Sequence, residues 1–264
     1  MKVGIILGSL GTGSLKRDLQ RAMAIGVHGI QLWVVNNELD PRELSRTGRE
    51  ELVDYMDSLG LERSALCGDV GGFCDPGTVD ENIARTKSVF DLCVDLHTPI
   101  LTTHIGTVPD DATSRAYQEL VGAVRDISDY AVNRGCCLAI ETGPESAEAL
   151  AQFIVDVKSN GAKANYDPAN LCMAGFDHIG GVKALAPYIV HTHAKDGVFE
   201  SEKKGKGLEM PLGKGDVDFP RYLAALRDVS YSGFLTVERE CGDDPASDIV
   251  EAVTFLKRQE GVEP

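Results

Sequence analysis

The chain has 264 residues, with 26 Lys and Arg against 41 Asp and Glu, so its formal net charge is −15 at pH 7. Hydrophobic residues make up 43% of the sequence and charged residues 25%, a globular composition that excludes disorder over most of the length. The acidic balance argues against nucleic acid or a membrane surface as a partner, because both attract a basic protein face.

The first 18 residues combine a positive charge with a short apolar run. Gly4 and Gly8 interrupt this run and no small-residue cleavage site follows, so we predict a strand and not a signal peptide. No apolar run in the sequence approaches the roughly 20 residues of a membrane span. The seven cysteines are odd in number and include no C-x-x-C pair, which indicates reduced thiols and a cytoplasmic location.

One pattern then repeats along the chain: a short apolar run, a polar break and a segment with helical periodicity. The predicted strands lie at 3–8, 29–35, 61–72, 99–106, 138–143, 163–170, 189–197 and 233–240. The predicted helices lie at 14–26, 40–60, 80–96, 112–135, 146–161, 177–188, 219–231 and 244–261. Eight apolar strands that alternate with helices predict an α/β fold, a single TIM barrel, (β/α)8, with a parallel eight-stranded core and one domain over residues 1–264.

Helix boundary signals agree with these units. Asp40-Pro41 and Asp244-Pro245 each place an N-cap residue before a proline at the first helical position. The glycines expected at helix ends are Gly60, Gly135 and Gly161. The alternative is an open doubly wound sheet, which would need G-x-G-x-x-G after the first strand. The GSLGTGS that follows that strand lacks this spacing, so we interpret it as a glycine loop without specific chemistry.

The longest stretch without a pattern is 198–218, after the seventh strand. Such a loop would lie over the mouth of the barrel, as a lid for an anionic substrate or as a solvated loop. Its lysines are Lys203, Lys204, Lys206 and Lys214.

Most polar residues of the predicted strands lie at the carboxyl ends, which form the mouth of a parallel barrel. Strands five to eight end, in order, in Glu141, Asp167, His191-Thr192-His193 and Glu238. Carboxylates that converge at a partly buried point repel each other unless a cation neutralises them. Carboxylate oxygens with one imidazole suit Mn²⁺, Mg²⁺ or Co²⁺, so the sequence predicts a divalent-metal site.

Two ambiguities remain within this set. Side chains two positions apart in a strand point the same way, so periodicity does not separate His191 from His193. His193 lies nearer the end of the strand and is therefore our choice. Glu238 directly follows the apolar run FLTV, whereas we place Glu240 in the loop.

Three segments, NYDPAN, HTHAKDG and LGKGDVDFPRYLAALRDVSYSGFLTVERE, resemble the xylose isomerase-like barrel family of sugar phosphate isomerases and epimerases. The resemblance covers nearly the whole chain and is strongest from 138 to 240. It implies one divalent metal bound by the last four strands, at the matching positions Glu141, Asp167, His193 and Glu238. In the ketose epimerases of this family the two glutamates also act as acid and base on opposite faces of the substrate.

One motif departs from the family. Many members have D-x-x-H on strand six, whereas this chain has D-P-A-N, so Asn170 replaces the histidine. Asn170 could hydrogen-bond a substrate hydroxyl but is a poor metal ligand, which weighs against the multi-metal apurinic endonucleases of this fold. The other candidate substrate contacts are His104, Trp33, Glu145 and Lys195. For Trp33 the sequence favours a place in the core over an apolar wall for the substrate. Lys195 with Asp196 could instead support the metal ligands or form a surface ion pair.

The predicted function is that of a metal-dependent sugar or sugar phosphate isomerase or epimerase. Glu141 or Glu238 would remove a proton next to a metal-bound carbonyl, giving an enediolate, and the other would return a proton. Mn²⁺ is our first choice of cofactor, with Mg²⁺, Co²⁺ and Zn²⁺ as alternatives. The same site would suit a keto-inositol-type dehydratase, and a non-catalytic sugar-binding barrel is the alternative outside enzymes. A small-molecule sugar is the expected partner, and a homo-oligomer is left open.

Overall fold

The computed structural model describes residues 1–200 and 207–264. Eight of its strands form a closed barrel in which neighbours run parallel, with β1 pairing the last strand to complete the ring. The strands, in chain order, are β1 (Lys2–Ile6), β2 (Gly29–Trp33), β3 (Glu62–Cys67), β4 (Ile100–Thr103), β5 (Cys137–Glu141), β6 (Ala162–Tyr166), β7 (Ile189–Ala194), β8 (Asp196–Val198), β9 (Leu208–Met210) and β10 (Phe234–Val237). All except β8 and β9 belong to the barrel, so the predicted TIM barrel is confirmed.

Helices lie between the barrel strands. They are α1 (Leu15–Ile25), α2 (Arg46–Ser58), α3 (Val79–Asp95), α4 (Arg115–Val132), α5 (Ala147–Val157), α6 (Pro168–Ala174), α7 (Gly181–Leu185), α8 (Phe219–Asp228) and α9 (Pro245–Lys257). A short 3₁₀ helix, Leu7–Leu10, follows β1. The apolar faces of the α-helices pack on the barrel sheet, where Phe90, Phe153 and Tyr222 are fully buried. Burial of such a side chain contributes about 1.5–3 kcal/mol, so this layer holds the barrel rigid beneath its mouth.

The sixth unit differs from its prediction, because two short helices replace one helix over 177–188. Asp167 caps α6 through its side chain, and Pro168 occupies the first helical position. Gly175, at φ 83°, ends α6 in the left-handed conformation after only seven residues. The helix therefore begins directly at the mouth of the barrel, next to the candidate site.

Of the two predicted Asp-Pro helix starts, one was wrong. Helix α2 begins at Arg46 with Ser45 as its cap, whereas the carboxylate of Asp40 accepts hydrogen bonds from the backbone N–H groups of Asn36 and Arg42. A carboxylate used in this turn no longer caps a helix. The Asp244 cap is confirmed, because its side chain accepts from Ser247 N.

The glycine predicted at the end of α5 has a different role. Lys158, at φ 56°, takes the left-handed position after Val157. A Cβ on Gly161 would lie 2.2 Å from the carbonyl oxygen of Ser128 in α4, so this glycine allows a close backbone approach. Gly60 and Gly135 have the expected positive φ, 69° and 70°.

The stretch 198–218 has structure that its sequence did not indicate. Strands β8 and β9 form an antiparallel pair in which Asp196 lies opposite Met210. The carboxylate of Asp196 accepts four backbone hydrogen bonds, from Gly197, Gly213, Gly215 and Val217. Lys214 is exposed, and Lys203, Lys204 and Lys206 of the expected lid lie outside the described residues.

No helix in residues 1–200 and 207–264 combines the length and the apolar character that a membrane crossing requires.

Candidate metal centre

Four side chains from consecutive barrel strands meet at the mouth. Glu141 is the last residue of β5 and His193 lies one residue before the end of β7, while Asp167 and Glu238 directly follow β6 and β10. Each residue offers one potential ligand atom, and these four atoms all lie within 4.8 Å of one another. We call these four residues the metal cluster. Parallel strands bring their carboxyl ends to one edge, so neighbouring strand ends supply the whole cluster.

His193 lies at the centre of the cluster. Its Nδ1 is 3.1 Å from Glu238 Oε2, 3.4 Å from Glu141 Oε1 and 3.6 Å from Asp167 Oδ2. Both His193 Nδ1 and Asp167 Oδ2 are buried and lack a hydrogen-bond partner. A cation could bind both of these unpartnered atoms among the buried carboxylates. The four side chains therefore fit a divalent ion.

The other ring nitrogen fixes the orientation of this imidazole. His193 Nε2 lies 3.0 Å from Gln31 Oε1, and Gln31 Nε2 donates to Thr102 Oγ1 at 2.7 Å. The amide of Gln31 is therefore oriented to accept. Asn165 Nδ2 lies farther from the same nitrogen, at 3.2 Å, so we assign the proton of His193 to Nε2 on the shorter contact with Gln31. A ligating histidine usually donates its other N–H in this way, which leaves Nδ1 with its lone pair toward the cluster.

His191 lies below His193 in the barrel, two residues earlier in β7. Its Nδ1 donates to Asn165 Oδ1 at 2.8 Å, and its Nε2 accepts from Thr236 Oγ1 at 2.9 Å. Burial lowers the pKa of His191 well below its usual value, so the ring is neutral. Asn165 in turn donates to Glu141 Oε2 at 3.3 Å. The structure thus brings His193 into the cluster and places His191 beneath it as a support.

Asp167 joins the cap of α6 to the cluster. Its Oδ1 accepts from the backbone N–H groups of Ala169 at 2.7 Å and Asn170 at 3.1 Å. This capping holds the carboxylate so that Oδ2 faces His193. The side chain of Asn170 donates to Glu141 Oε1 at 3.0 Å, so this residue contacts a cluster member directly.

Glu238 lies against a buried lysine. Lys195 Nζ donates to Glu238 Oε2 at 3.1 Å and to Glu240 Oε1 at 2.6 Å, and Glu209 Oε2 is 3.6 Å away. Burial opposes the charge of this lysine, but the carboxylates, Glu238 above all, raise its pKa above the usual value. Glu209 also accepts from Arg239 Nη1 at 2.7 Å, so β9 is tied to the end of β10 next to the cluster.

The charges within the cluster compensate one another. Burial disfavours the charged form of His193, but Glu238 and Glu141 raise its pKa well above the usual value. Burial likewise opposes the charge of both glutamates, and His193 nevertheless lowers the pKa of Glu141 and of Glu238. A proton on His193 Nδ1 and a divalent cation therefore compete for the same position.

His104 lies at the rim of the mouth. Its side chain is 47% exposed, and its Nε2 is 3.7 Å from Glu141 Oε1. Its Nδ1 is 2.9 Å from Asp69 Oδ2, and this hydrogen bond raises the pKa of His104 to about 9. His104 thus lies close to the cluster and open to solvent, with the charged form of its ring favoured by Asp69.

A cavity of about 540 Å³ opens above the cluster. Its lining residues are Ile6, Gly8, Ser9, Trp33, Cys67, Asp69, His104, Glu141, Glu238, Arg239 and Glu240. Trp33 is 40% exposed, which corrects the expected place in the core, because β2 ends with this residue at the mouth. Glu145 does not line this cavity, and its Oε2 is buried without a hydrogen-bond partner.

Three contributors lie outside the candidates that the sequence suggested: Gln31, Asn165 and Asp69. Gln31 is the one polar residue of GIQLW, and Asn165 is a buried amide in AKANY, where Lys163 is the charged residue. A polar side chain inside a buried strand needs a partner, and this was the available signal. Asp69 follows β3 in a glycine-rich loop, where the sequence gives no comparable indication.

The barrel and the cluster together define a class: a TIM barrel with a buried Glu/Asp/His/Glu set that could hold a divalent metal at its mouth. The family model described as xylose isomerase-like TIM barrel matches residues 19–259, and the chain belongs to this family.

Solved structures with the same fold include a xylose isomerase domain protein from Planctomyces limnophilus. It is 28% identical, with a TM-score of 0.87 over 97% of this chain and 96% of that chain. A D-psicose 3-epimerase is 16% identical, with a TM-score of 0.78 over 99% of this chain and 100% of that chain. A probable 3-DHS dehydratase from Bacillus anthracis is 19% identical, with a TM-score of 0.81 over 98% and 100%. The last two similarities concern the fold alone.

Among curated proteins, an uncharacterized protein of Methanocaldococcus jannaschii is 18% identical over 183 residues. The match spans 63% of this chain and 61% of that protein's length.

Proposed function

We propose that the chain is a divalent metal-dependent sugar isomerase or epimerase. The observation that carries this proposal is the pair of buried glutamates, Glu141 and Glu238, on either side of a histidine whose Nδ1 has no partner. Glu141 ends strand β5 and Glu238 directly follows strand β10, and strands β6 and β7 lie between these two in the barrel. A substrate above the cluster can therefore meet a carboxylate from either side.

Four residues would hold the ion: Glu141, Asp167, His193 and Glu238. A divalent cation at this position would polarise a sugar carbonyl and stabilise the negative charge of an enediolate. Oxygen ligands with one imidazole suit Mn²⁺ first, with Mg²⁺, Co²⁺ and Zn²⁺ as alternatives.

The proton chemistry belongs to the two glutamates. One of them removes the proton from the carbon next to the carbonyl, and the other returns a proton to the same or the neighbouring carbon. Return to the opposite face of the same carbon gives an epimer. Return to the neighbouring carbonyl carbon, with transfer of the hydroxyl proton, gives the isomer.

The remaining candidates orient the substrate and the glutamates. His104 and Trp33 line the cavity and would contact the sugar directly. Asn170 holds Glu141 through a hydrogen bond and Lys195 holds Glu238, so each glutamate has its own positioning residue. We assign no substrate contact to Glu145, because it does not line the mouth cavity.

The test is turnover of a panel of aldoses and ketoses in D₂O by Mn²⁺-loaded protein, followed by NMR. We expect deuterium at the carbon next to the carbonyl together with an isomeric product. Glu141→Gln and Glu238→Gln should each lower kcat by about 10²–10⁴-fold, the usual contribution of a general acid or base. The exposed Glu119→Gln is the matched control and should leave kcat unchanged.

Near wild-type turnover in both cluster variants would contradict the proposal, as would the lack of exchange and product with every sugar. Loss of water from the product would instead identify a dehydratase.

A further inference from the structure

A second cavity, of about 460 Å³, lies beside the mouth cavity. Its walls come from the 3₁₀ helix after β1, the glycine loop that follows it, the start of α1 and the loop after β2. We call it the side groove, defined by Gly8, Ser14, Trp33, Asn37 and Glu38. None of these residues belongs to the metal cluster, and of the five only Trp33 enters the function proposed above, as a sugar contact in the mouth cavity.

The side groove and the mouth cavity share two lining residues, Gly8 and Trp33. A Cβ built on Gly8 would meet no atom within 4 Å, so the space at this junction is open. One ligand can therefore extend from the metal cluster, past Trp33, into the groove.

Trp33 is held in place at this junction. Its indole Nε1 donates to the carbonyl oxygen of Val35 at 3.0 Å. Asn37 Nδ2 donates to the backbone oxygen of Trp33 at 2.8 Å, and Asn37 Oδ1 accepts from Leu39 N at 2.8 Å. The ring is thus preorganised, so a ligand that stacks on it loses little binding free energy to ordering this side chain.

The chemistry of the walls selects the ligand. Leu7, Leu15 and Leu32 provide apolar surface, while Asn37 and Glu38 provide polar atoms at the rim. Among the described residues that line the groove none is basic, and two, Asp18 and Glu38, are acidic. An apolar floor with an aromatic side and hydrogen-bonding rim suits a sugar ring, which has a C–H face and peripheral hydroxyls. The carboxylates repel phosphates and carboxylates.

We propose that the side groove is a second sugar subsite, which binds the uncharged glycosyl unit of a disaccharide whose ketose end lies at the metal cluster. The assignment of the ketose end rests on the proposed function. The groove itself, and the absence of basic residues among its described lining residues, do not depend on the proposed function.

Trp33 is the only tryptophan of the chain, so its fluorescence reports binding at this junction. We would titrate Mg²⁺-loaded protein with D-fructose and with two disaccharides that end in fructose, lactulose and maltulose. We expect at least one disaccharide to bind about 10-fold more tightly than fructose, since a second ring adds stacking and hydrogen bonds.

The critical variant is Ser14→Phe, which fills the groove away from the metal cluster. Ser14 precedes α1 and makes no side-chain capping bond, so its loss should leave the helix intact. We expect disaccharide affinity to fall to the level of fructose, with the affinity for fructose unchanged. The matched control is Gln20→Phe, an exposed position on α1 that does not line the groove, which should behave as wild type.

Equal affinities for fructose and both disaccharides in the wild type would overturn the subsite, as would a disaccharide preference that survives Ser14→Phe. Ketose turnover by the same proteins separates the two proposals. Turnover of fructose without a disaccharide preference removes the subsite and keeps the function. A disaccharide preference that depends on Ser14, without turnover, removes the function and keeps the subsite.

Discussion

At the scale of single residues, Asp167 joins two tasks that are usually separate. Its Oδ1 caps α6 by accepting two backbone hydrogen bonds, and its Oδ2 faces the imidazole of His193 without a partner. The stability of a helix and the position of a charged ligand atom therefore depend on one side chain.

Two substitutions separate these tasks. Asp167→Asn keeps an oxygen that can cap α6 but removes the charge, so we expect metal affinity to fall more than about 10-fold with little change in stability. Asp167→Ala removes the charge and the capping oxygen. Relative to Asp167→Asn, its free energy of unfolding without metal should be lower by about 0.5–2 kcal/mol, the cost of a lost cap. Titration calorimetry with Mn²⁺ and urea unfolding measure the two effects. Equal metal affinity in Asp167→Asn and wild type would exclude Asp167 as a ligand.

The residues that sequence reasoning identified differ in kind from those it missed. Glu141 and Glu238 were predictable because the order of strands alone places their ends at one mouth. Gln31 acts through a contact with His193, which is 162 positions away in the chain. Such a contact depends on side-chain packing across the barrel, which periodicity does not encode. Trp33 was misplaced for the same reason, because an apolar residue type does not show which side of a strand end is open.

At the scale of elements, the eight barrel strands follow from apolar runs, whereas the β8–β9 hairpin does not. Its three-residue strands are too short to give a period, and the Asp196 carboxylate accepts hydrogen bonds from N–H groups up to 21 positions away, which a local pattern does not indicate. Four backbone N–H donors stabilise the negative charge of one carboxylate without a cation. Asp196 therefore ties β8 to the segment after β9, in addition to the Glu209–Arg239 contact of β9.

We expect Asp196→Asn to loosen this element, because the amide presents donors to backbone N–H groups that need an acceptor. Amide hydrogen exchange at Gly213, Gly215 and Val217 should become faster, and stability should fall by about 1–3 kcal/mol. The control is Asp216→Asn, since Asp216 accepts one exposed backbone hydrogen bond, from Phe199. Equal exchange in the Asp196 variant and wild type would show that other contacts order the hairpin.

At the scale of the whole molecule, the metal cluster joins four strands that cover half of the barrel ring. An ion that binds only the folded state stabilises it by about 2.7 kcal/mol at 100 times its Kd. Metal and fold stability should therefore be linked.

We expect EDTA to lower the Tm, and the size of this effect should depend on pH. Because neighbouring glutamates raise the pKa of His193, a proton replaces the cation more readily as the pH falls. The difference in Tm between Mn²⁺-loaded and EDTA-treated protein should thus be larger at pH 8 than at pH 5. Calorimetric scans in both buffers measure it, with His193→Gln as the control that should lose the difference at either pH. An unchanged Tm difference between the two pH values would argue against His193 Nδ1 as a ligand.

The four cluster residues all lie between positions 141 and 238, whereas Trp33, Asp69 and His104 reach the mouth from the first half of the chain. From that half, Gln31 hydrogen-bonds the cluster histidine and His104 lies 3.7 Å from Glu141. The proposed ion ligands and these three mouth residues thus come from different halves of the chain, while Arg239 and Glu240 of the second half also line the mouth cavity. Under the proposed function, substitutions in the loops after β2, β3 and β4 would change the sugar preference while the four proposed ion ligands stay intact, so laboratory evolution would begin there.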